Sequence, residues 1–259
     1  MTSLLEVAGL SCGFGGVRAL ADVSLGIEHG VAFAVIGPNG AGKSTLLNAV
    51  TGLLAPAAGR VLFDGADITR WATHRIVAHG VGRTFQNGRL FGRLSALENV
   101  MVGGHAGLAS GFGAALLGTP GFRREEAALA ARSLALLDRL GMADIAGVPV
   151  GALPYGKRRQ VELARALVSE PKLLLLDEPA AGLNSAEVEE LIGFLAGLRA
   201  EGLTIVVIEH NMGLVMRLAD RIAVLNFGRL IAEGRPSEIQ RNEAVLEAYL
   251  GRGYGHAVL

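Results

Sequence analysis

A chain of 259 residues with 24 basic and 24 acidic side chains carries no formal net charge. It has no cationic excess with which to neutralise phosphates, so nucleic acid is not an expected partner. Half of the residues are hydrophobic, enough for one large domain or a domain with a subdomain. The single cysteine, Cys12, excludes an internal disulfide, fits a reducing compartment and reads as a small buried hydrophobe.

The opening residues Met1 to Glu6 hold no basic stretch and no long apolar run, unlike a signal peptide. The first third reads as strands. Val31 to Ile36 is almost continuously apolar and ends at a glycine, as a strand buried on both faces should. Gly59 to Phe63 followed by Asp64-Gly65 predicts a strand entering a tight turn. From Asn99 to Phe122 there is no Asp, Glu, Lys or Arg, a length that could span a bilayer. Seven glycines and Pro120 lie within it, so it is expected to be a flexible, partly helical insertion and not a membrane helix.

Glu125, Arg132 and Arg139 then recur along one solvated helical face, opposite Leu129, Leu136, Leu137 and Leu140, with Gly141 as the stop. Leu173 to Leu176, Thr204 to Ile208 and Ile222 to Leu225 have the buried-strand pattern, the last leading to a hairpin at Asn226-Phe227-Gly228-Arg229. Asn184 and Glu187 form a capping-box pattern ahead of an apolar stripe at Val188, Leu191, Ile192, Leu195 and Leu198. Strands alternating with helices predict an α/β fold with a mostly parallel sheet covered on both faces. The stretch from Asn87 to Leu153 reads as helical.

Gly37-Pro38-Asn39-Gly40-Ala41-Gly42-Lys43-Ser44-Thr45 is a phosphate-binding loop pattern, placed between a buried strand and a helical run. Glycines let successive N–H groups curl inward onto phosphate oxygens, and the helix N-terminus adds its dipole. Lys43 is expected to reach the β- and γ-phosphates and the Ser44 hydroxyl to ligate magnesium. Leu173 to Leu176 end in Asp177-Glu178, two carboxylates at the carboxyl end of a buried strand, where such sheets bind ligands. Asp177 is expected to hold magnesium through water, and Glu178 to polarise the water that attacks the γ-phosphate.

Further segments, in order along nearly the whole chain, resemble the ATP-binding-cassette (ABC) ATPases. Phe14 is similar to the aromatic residue that stacks on adenine. Thr84-Phe85-Gln86-Asn87 resembles the Q-loop, which implies that Gln86 meets the magnesium or the attacking water. Leu153-Pro154-Tyr155-Gly156-Lys157 stands where the family's Leu-Ser-Gly-Gly-Gln signature belongs and keeps only Leu153 and Gly156 of it, while Arg158 to Leu167 restores the match. Ile208-Glu209-His210 resembles the switch loop, with His210 on the γ-phosphate, and Ala181-Gly182-Leu183-Asn184 fills the D-loop slot. Within the family, Gly82 to Asn87, Arg89-Leu90-Phe91, Leu97 to Val100, the Leu-Pro-Tyr-Gly signature, Ala232-Glu233-Gly234 and Ala248-Tyr249-Leu250-Gly251 are similar to subunits of importers for branched-chain and hydrophobic amino acids.

The resemblance implies a P-loop ATPase with an N-terminal antiparallel β region, a nucleotide-binding core at 1–86 and 156–235, a helical subdomain at 87–155 and a helical tail at 236–259. It implies Mg²⁺-dependent ATP hydrolysis by a dimer in which Pro154, Tyr155, Gly156, Lys157 and Asn184 of one cassette, the same chain or a paralogue, face nucleotide held by the other. Permease subunits, an extracytoplasmic substrate-binding protein and a peripheral place on the cytoplasmic face of the membrane follow from the same kinship. The alternatives are a soluble ABC ATPase of repair or translation, for which no second cassette, coiled-coil insertion or basic arm is present, and an exporter cassette. Because the chain starts a few residues before its first strand, it is expected to be a complete cassette.

Overall fold

The computed structural model describes residues 3–84, 90–105 and 117–250. Among them the strands form two sheets. The first is antiparallel, with order β2-β1-β4-β5: β1 (Ser3–Phe14), β2 (Val17–Glu28), β4 (Ala58–Phe63) and β5 (Ala66–Asp67). The second has order β10-β9-β3-β8-β7-β6. Its parallel strands are β3 (Ala32–Ile36), β6 (Val81–Arg83), β7 (Leu173–Asp177), β8 (Thr204–Ile208) and β9 (Arg221–Asn226). The antiparallel edge strand β10 (Arg229–Gly234) closes it.

Every residue of β3, β7 and β8 is buried, which explains their unbroken apolar runs. The pleat divides them between two cores. Phe33, Val35, Leu173, Leu175, Val206 and Ile208 face the antiparallel sheet and Leu46, Leu47 and Val50 of helix α1 (Lys43–Val50). Ala34, Ile36, Leu174, Leu176, Ile205 and Val207 face the opposite way, toward the helices Ser185–Ala200 and Met212–Leu218.

A third cluster is helical. It joins Ala96 and Val100 of the helix Ala96–Gly104, Leu129 and Leu137 of the helix Pro120–Arg139, and Val161 and Ala164 of the helix Tyr155–Leu167. The last of these also puts Leu163, Ala166 and Leu167 into the second core, so one helix packs against both bodies. Gly141, at φ +63°, follows the end of the long helix. Of the charge-free stretch from Asn99 to Phe122, the parts described are the end of one helix and the start of the next, and no helix among the described residues is long and apolar enough to cross a membrane.

Candidate active site

The loop from Gly37 to Gly42 joins β3 to α1. Gly37 (φ +149°), Gly40 (φ +79°) and Gly42 (φ +102°) take backbone conformations that side chains resist. A Cβ on Gly37 would lie 2.1 Å from the Leu225 carbonyl oxygen, and one on Gly42 2.6 Å from that of Ala19. A Cβ built on Gly40 would meet nothing within 4 Å, so there it is the left-handed backbone, not crowding, that favours glycine. The Ala41 N–H donates to Pro38 O at 3.1 Å and closes the turn. Asn39, Gly40 and Ser44 are exposed, and Pro38 and Thr45 are half-buried.

Lys43 is 8% exposed, and its Nζ donates to Gly37 O at 2.7 Å and Pro38 O at 3.0 Å. Burial lowers its pKa from the usual lysine value, against the pull of Glu178 and then Asp177. Both carboxylates therefore act on the same ammonium group, across the C-terminal ends of β3 and β7, with β8 between them.

Asp177 ends β7 and is 4% exposed. Burial raises its pKa above the usual carboxyl range; Arg83 opposes this and Glu178 adds to it. Oδ2 lies 3.5 Å from Arg83 Nη2, while Oδ1 is buried and finds no hydrogen-bond partner among the described residues. A buried carboxylate oxygen with an open lone pair, within electrostatic reach of the phosphate-loop lysine, suits a hard cation that shares its shell with phosphate oxygens.

Glu178 stands just past the strand at φ +50°, a left-handed conformation, and its N–H donates to Ile208 O at 2.9 Å. His210 Nδ1 is 3.7 Å from Glu178 Oε1, with His210 mostly exposed. Asn184 caps the helix Ser185–Ala200 in a complete capping box with Glu187. Pro154 is the N-cap of the helix Tyr155–Leu167, and Tyr155, Gly156 and Lys157 form its first turn. A Cβ on Gly156 would meet Glu187 Oε1 at 2.1 Å, and one on Gly182 would meet the Tyr155 ring at 2.8 Å. Signature and D-loop segments therefore pack on each other. Gln86 and the Phe14 side chain lie outside the described residues.

Three site-forming residues had no role in the sequence reading. Glu209 is 1% exposed and accepts from Ala180 N–H at 2.8 Å, His210 N–H at 2.9 Å and Asn211 N–H at 3.0 Å. It ties the switch segment to the turn after Glu178. Arg83 bridges Thr51 Oγ1, at 2.7 Å, and Asp177. The Thr84 hydroxyl accepts the Asp177 N–H at 3.3 Å. A charged or hydroxylated residue directly after an apolar strand was the available signal.

The ABC transporter family matches residues 20–181. This chain belongs to that family. It is an ATP-binding cassette, and its enzymatic activity is ATP hydrolysis. Residues 229–255 match a second family described as a branched-chain amino acid ATP-binding cassette transporter. The chain is 43% identical to the high-affinity branched-chain amino acid transport ATP-binding protein BraF of Pseudomonas aeruginosa, over 96% of this chain and 98% of that protein. It is 42% identical to LivG of Escherichia coli, of the same description, over the same shares. The ADP conformation of the cassette MJ1267 superposes with a TM-score of 0.84 at 30% identity, covering 97% of this chain and 100% of that one. A dimeric cassette structure, MJ0796, gives 0.77 at 26% identity, covering 90% and 98%.

Proposed function

We propose that this cassette drives an importer of branched-chain or other hydrophobic amino acids. The observation that carries the reading is the convergence of Lys43, Asp177, Glu178 and His210 at the C-terminal ends of β3, β7 and β8, in a chain that matches branched-chain amino acid transport ATPases over 96% of its length. The C-terminal match at 229–255 supports the same substrate class.

In this reading ATP lies with its adenine on Phe14 and its phosphates on the N–H groups of the loop from Gly37 to Thr45, with Pro38, Asn39 and Ala41 shaping the curl. Lys43 leaves the Gly37 and Pro38 carbonyls for the β- and γ-oxygens. Ser44, Gln86 and Asp177 are the residues that would hold magnesium, which when bound neutralises charge on the transferring phosphoryl group. Glu178 accepts a hydrogen bond from water as the water oxygen attacks the γ-phosphorus and the bond to the ADP oxygen breaks. His210 donates to the γ-phosphate. Pro154, Tyr155, Gly156, Lys157 and Asn184 face nucleotide on a second cassette, and the packing of Gly156 on Glu187 and of Gly182 on Tyr155 supports their acting as one surface.

Residues 87–155 act as the subdomain that receives the permease. Asn99, fully buried, accepts the Phe91 N–H at 2.9 Å and donates to the carbonyls of Phe91, Leu94 and Ser95 at 3.0 to 3.2 Å. It pins this loop so that Phe91 is displayed at 52% exposure while Leu90 packs on the helical cluster. Phe91 is then the permease contact, at the cytoplasmic face of the membrane, with an extracytoplasmic binding protein delivering substrate.

The test is reconstitution in proteoliposomes with the permease subunits and binding protein encoded beside this chain. ATP-dependent uptake of labelled leucine well above that of a charged amino acid is expected. Uptake of the charged amino acid alone would reject the substrate class.

A further inference from the structure

The alternation of side chains along β6 and β7 puts Arg83 and Asp177 on one face of the sheet. Val81 and Arg83 share a side of β6, and Leu173, Leu175 and Asp177 share a side of β7. Val81, Leu173 and Leu175 pack in the first core with Leu46, Leu47 and Val50, so that side is the one α1 covers. The register sets Arg83 opposite Leu175, with Asp177 two residues further along the neighbouring strand. Arg83 and Asp177 therefore project toward the helix that begins at the phosphate loop.

The Arg83 side chain is 7% exposed and uses both terminal nitrogens. Nη1 donates to Thr51 Oγ1 at 2.7 Å, and Nη2 lies 3.5 Å from Asp177 Oδ2. Thr51 is the buried C-cap of α1. Its one hydroxyl proton goes to Leu47 O at 2.7 Å, so it turns a lone pair to the arginine. The backbone of Asp177 is held as well. Thr84 N–H donates to Leu175 O at 3.0 Å, and Asp177 N–H donates to the Thr84 hydroxyl at 3.3 Å. Of the carboxylate, Oδ2 faces the guanidinium, and Oδ1 has no hydrogen-bond partner among the described residues. A guanidinium is a rigid planar fork, so pinning one nitrogen on Thr51 fixes where the other meets Asp177. An ammonium group, a single point charge, cannot do both.

We propose that Arg83 is a positioning residue for magnesium: by spanning Thr51 and Asp177 it ties the helix that carries Ser44 to the carboxylate and leaves Oδ1 turned to the cation. The proposal rests on reading Asp177 and Ser44 as residues that hold magnesium. Magnesium demands near-octahedral geometry, so a ligand free to rotate binds it less well. The positive charge of Arg83 works the other way, because it competes with the cation for the same carboxylate. Orientation and charge thus predict opposite signs when the arginine is removed.

The experiment compares the full-length wild type with Arg83→Met, Arg83→Lys, Thr51→Val and Asp177→Asn. ADP affinity is measured with saturating Mg²⁺ and again with EDTA, and the ratio is the gain that magnesium supplies. The Mg²⁺ concentration for half-maximal ATPase is a second readout. Arg83→Met is expected to lower the gain about 10- to 100-fold, the usual scale for an outer-shell partner of a metal ligand. Its ADP affinity in EDTA should stay within about threefold of wild type, since the loop's own N–H groups are unchanged. Thr51→Val keeps the charge and deletes only the acceptor, and should lower the gain in the same direction by less. Arg83→Lys should recover only part of the loss. If Arg83→Met does not fold, Thr51→Val and Arg83→Lys carry the test. Equal weakening with Mg²⁺ and with EDTA would mark a packing role and overturn the proposal. So would a wild-type or larger gain in Arg83→Met and Thr51→Val while Asp177→Asn loses it, which leaves the site reading standing. Loss in Arg83→Met with Thr51→Val at the wild-type gain would overturn the tie to α1. A wild-type gain in Asp177→Asn, or no gain in the wild type, would overturn the site reading and Arg83's role with it.

Discussion

His210 Nδ1 lies 3.7 Å from Glu178 Oε1 because their strands are parallel neighbours paired to the last residue, Asp177 opposite Ile208. Residues just past two such ends must meet, and the Glu178 N–H bond to Ile208 O fixes the approach. Replacing the imidazole leaves the phosphate loop untouched. His210→Ala is expected to keep MgATP affinity within about threefold while turnover falls by about 10²-fold, as for loss of one donor to a developing charge. Phosphate release under saturating ATP measures it. Turnover within twofold of wild type would remove His210 from the chemistry.

Glu209 holds that arrangement in place. Its buried carboxylate satisfies three backbone N–H groups, those of Ala180, His210 and Asn211. Glu209→Ala strands all three, and a buried unsatisfied group costs about 1–3 kcal/mol. Urea unfolding is expected to show a loss of roughly 2–3 kcal/mol, together with reduced turnover, because both the switch segment and the turn after Glu178 lose their tie. Glu209→Gln, which keeps one acceptor oxygen, should lose less. Unchanged stability in Glu209→Ala would show that the carboxylate is dispensable.

Phe91 and Asn99 separate display from support. Phe91→Ala removes a half-exposed ring, so stability should change by no more than about 0.5 kcal/mol and basal ATPase by no more than about twofold. Transport by the assembled complex, and stimulation of ATPase by loaded binding protein, should fall far more. Asn99→Leu strands the Phe91 N–H, takes a second donor from the Phe91, Leu94 and Ser95 carbonyls, which keep their backbone N–H partners, and should lower stability by about 1–2 kcal/mol in the isolated subunit. Equal loss in both assays with a lowered melting temperature for Phe91→Ala would make Phe91 a packing residue.

Much of the site could be read in advance because buried parallel strands leave a plain mark. The apolar runs before Gly37, Asp177 and Glu209 correspond to β3, β7 and β8, and Asn184 with Glu187 caps the helix as its spacing implied. The turns at Asp64-Gly65 and Phe227-Gly228 have the left-handed φ values that a two-residue hairpin demands. The β1–β2 hairpin was harder to delimit, since its register shifts repeatedly and Gly9 and Asp22 take positive φ, which breaks the alternation. β6 is three residues long and too short to carry a period. Arg83 and Glu209 act on partners brought near only by the fold: Thr51 and Asp177 for the first, Ala180 for the second. For Gly156, the sequence pointed to a partner's nucleotide, whereas Glu187 of the same chain gives the glycine a local packing reason.

In the proposed mechanism Glu178 polarises the attacking water at a loop that binds ATP on its own. Glu178→Gln is nearly isosteric, and both Lys43 and the loop stay as they are. The decisive measurement is multiple-turnover phosphate release by this variant, with sedimentation in MgATP to report binding and association. The account predicts retained ATP binding, turnover reduced at least about 10²-fold, and a stable ATP-bound dimer where the wild type returns to monomer. Near-wild-type turnover in Glu178→Gln would contradict it.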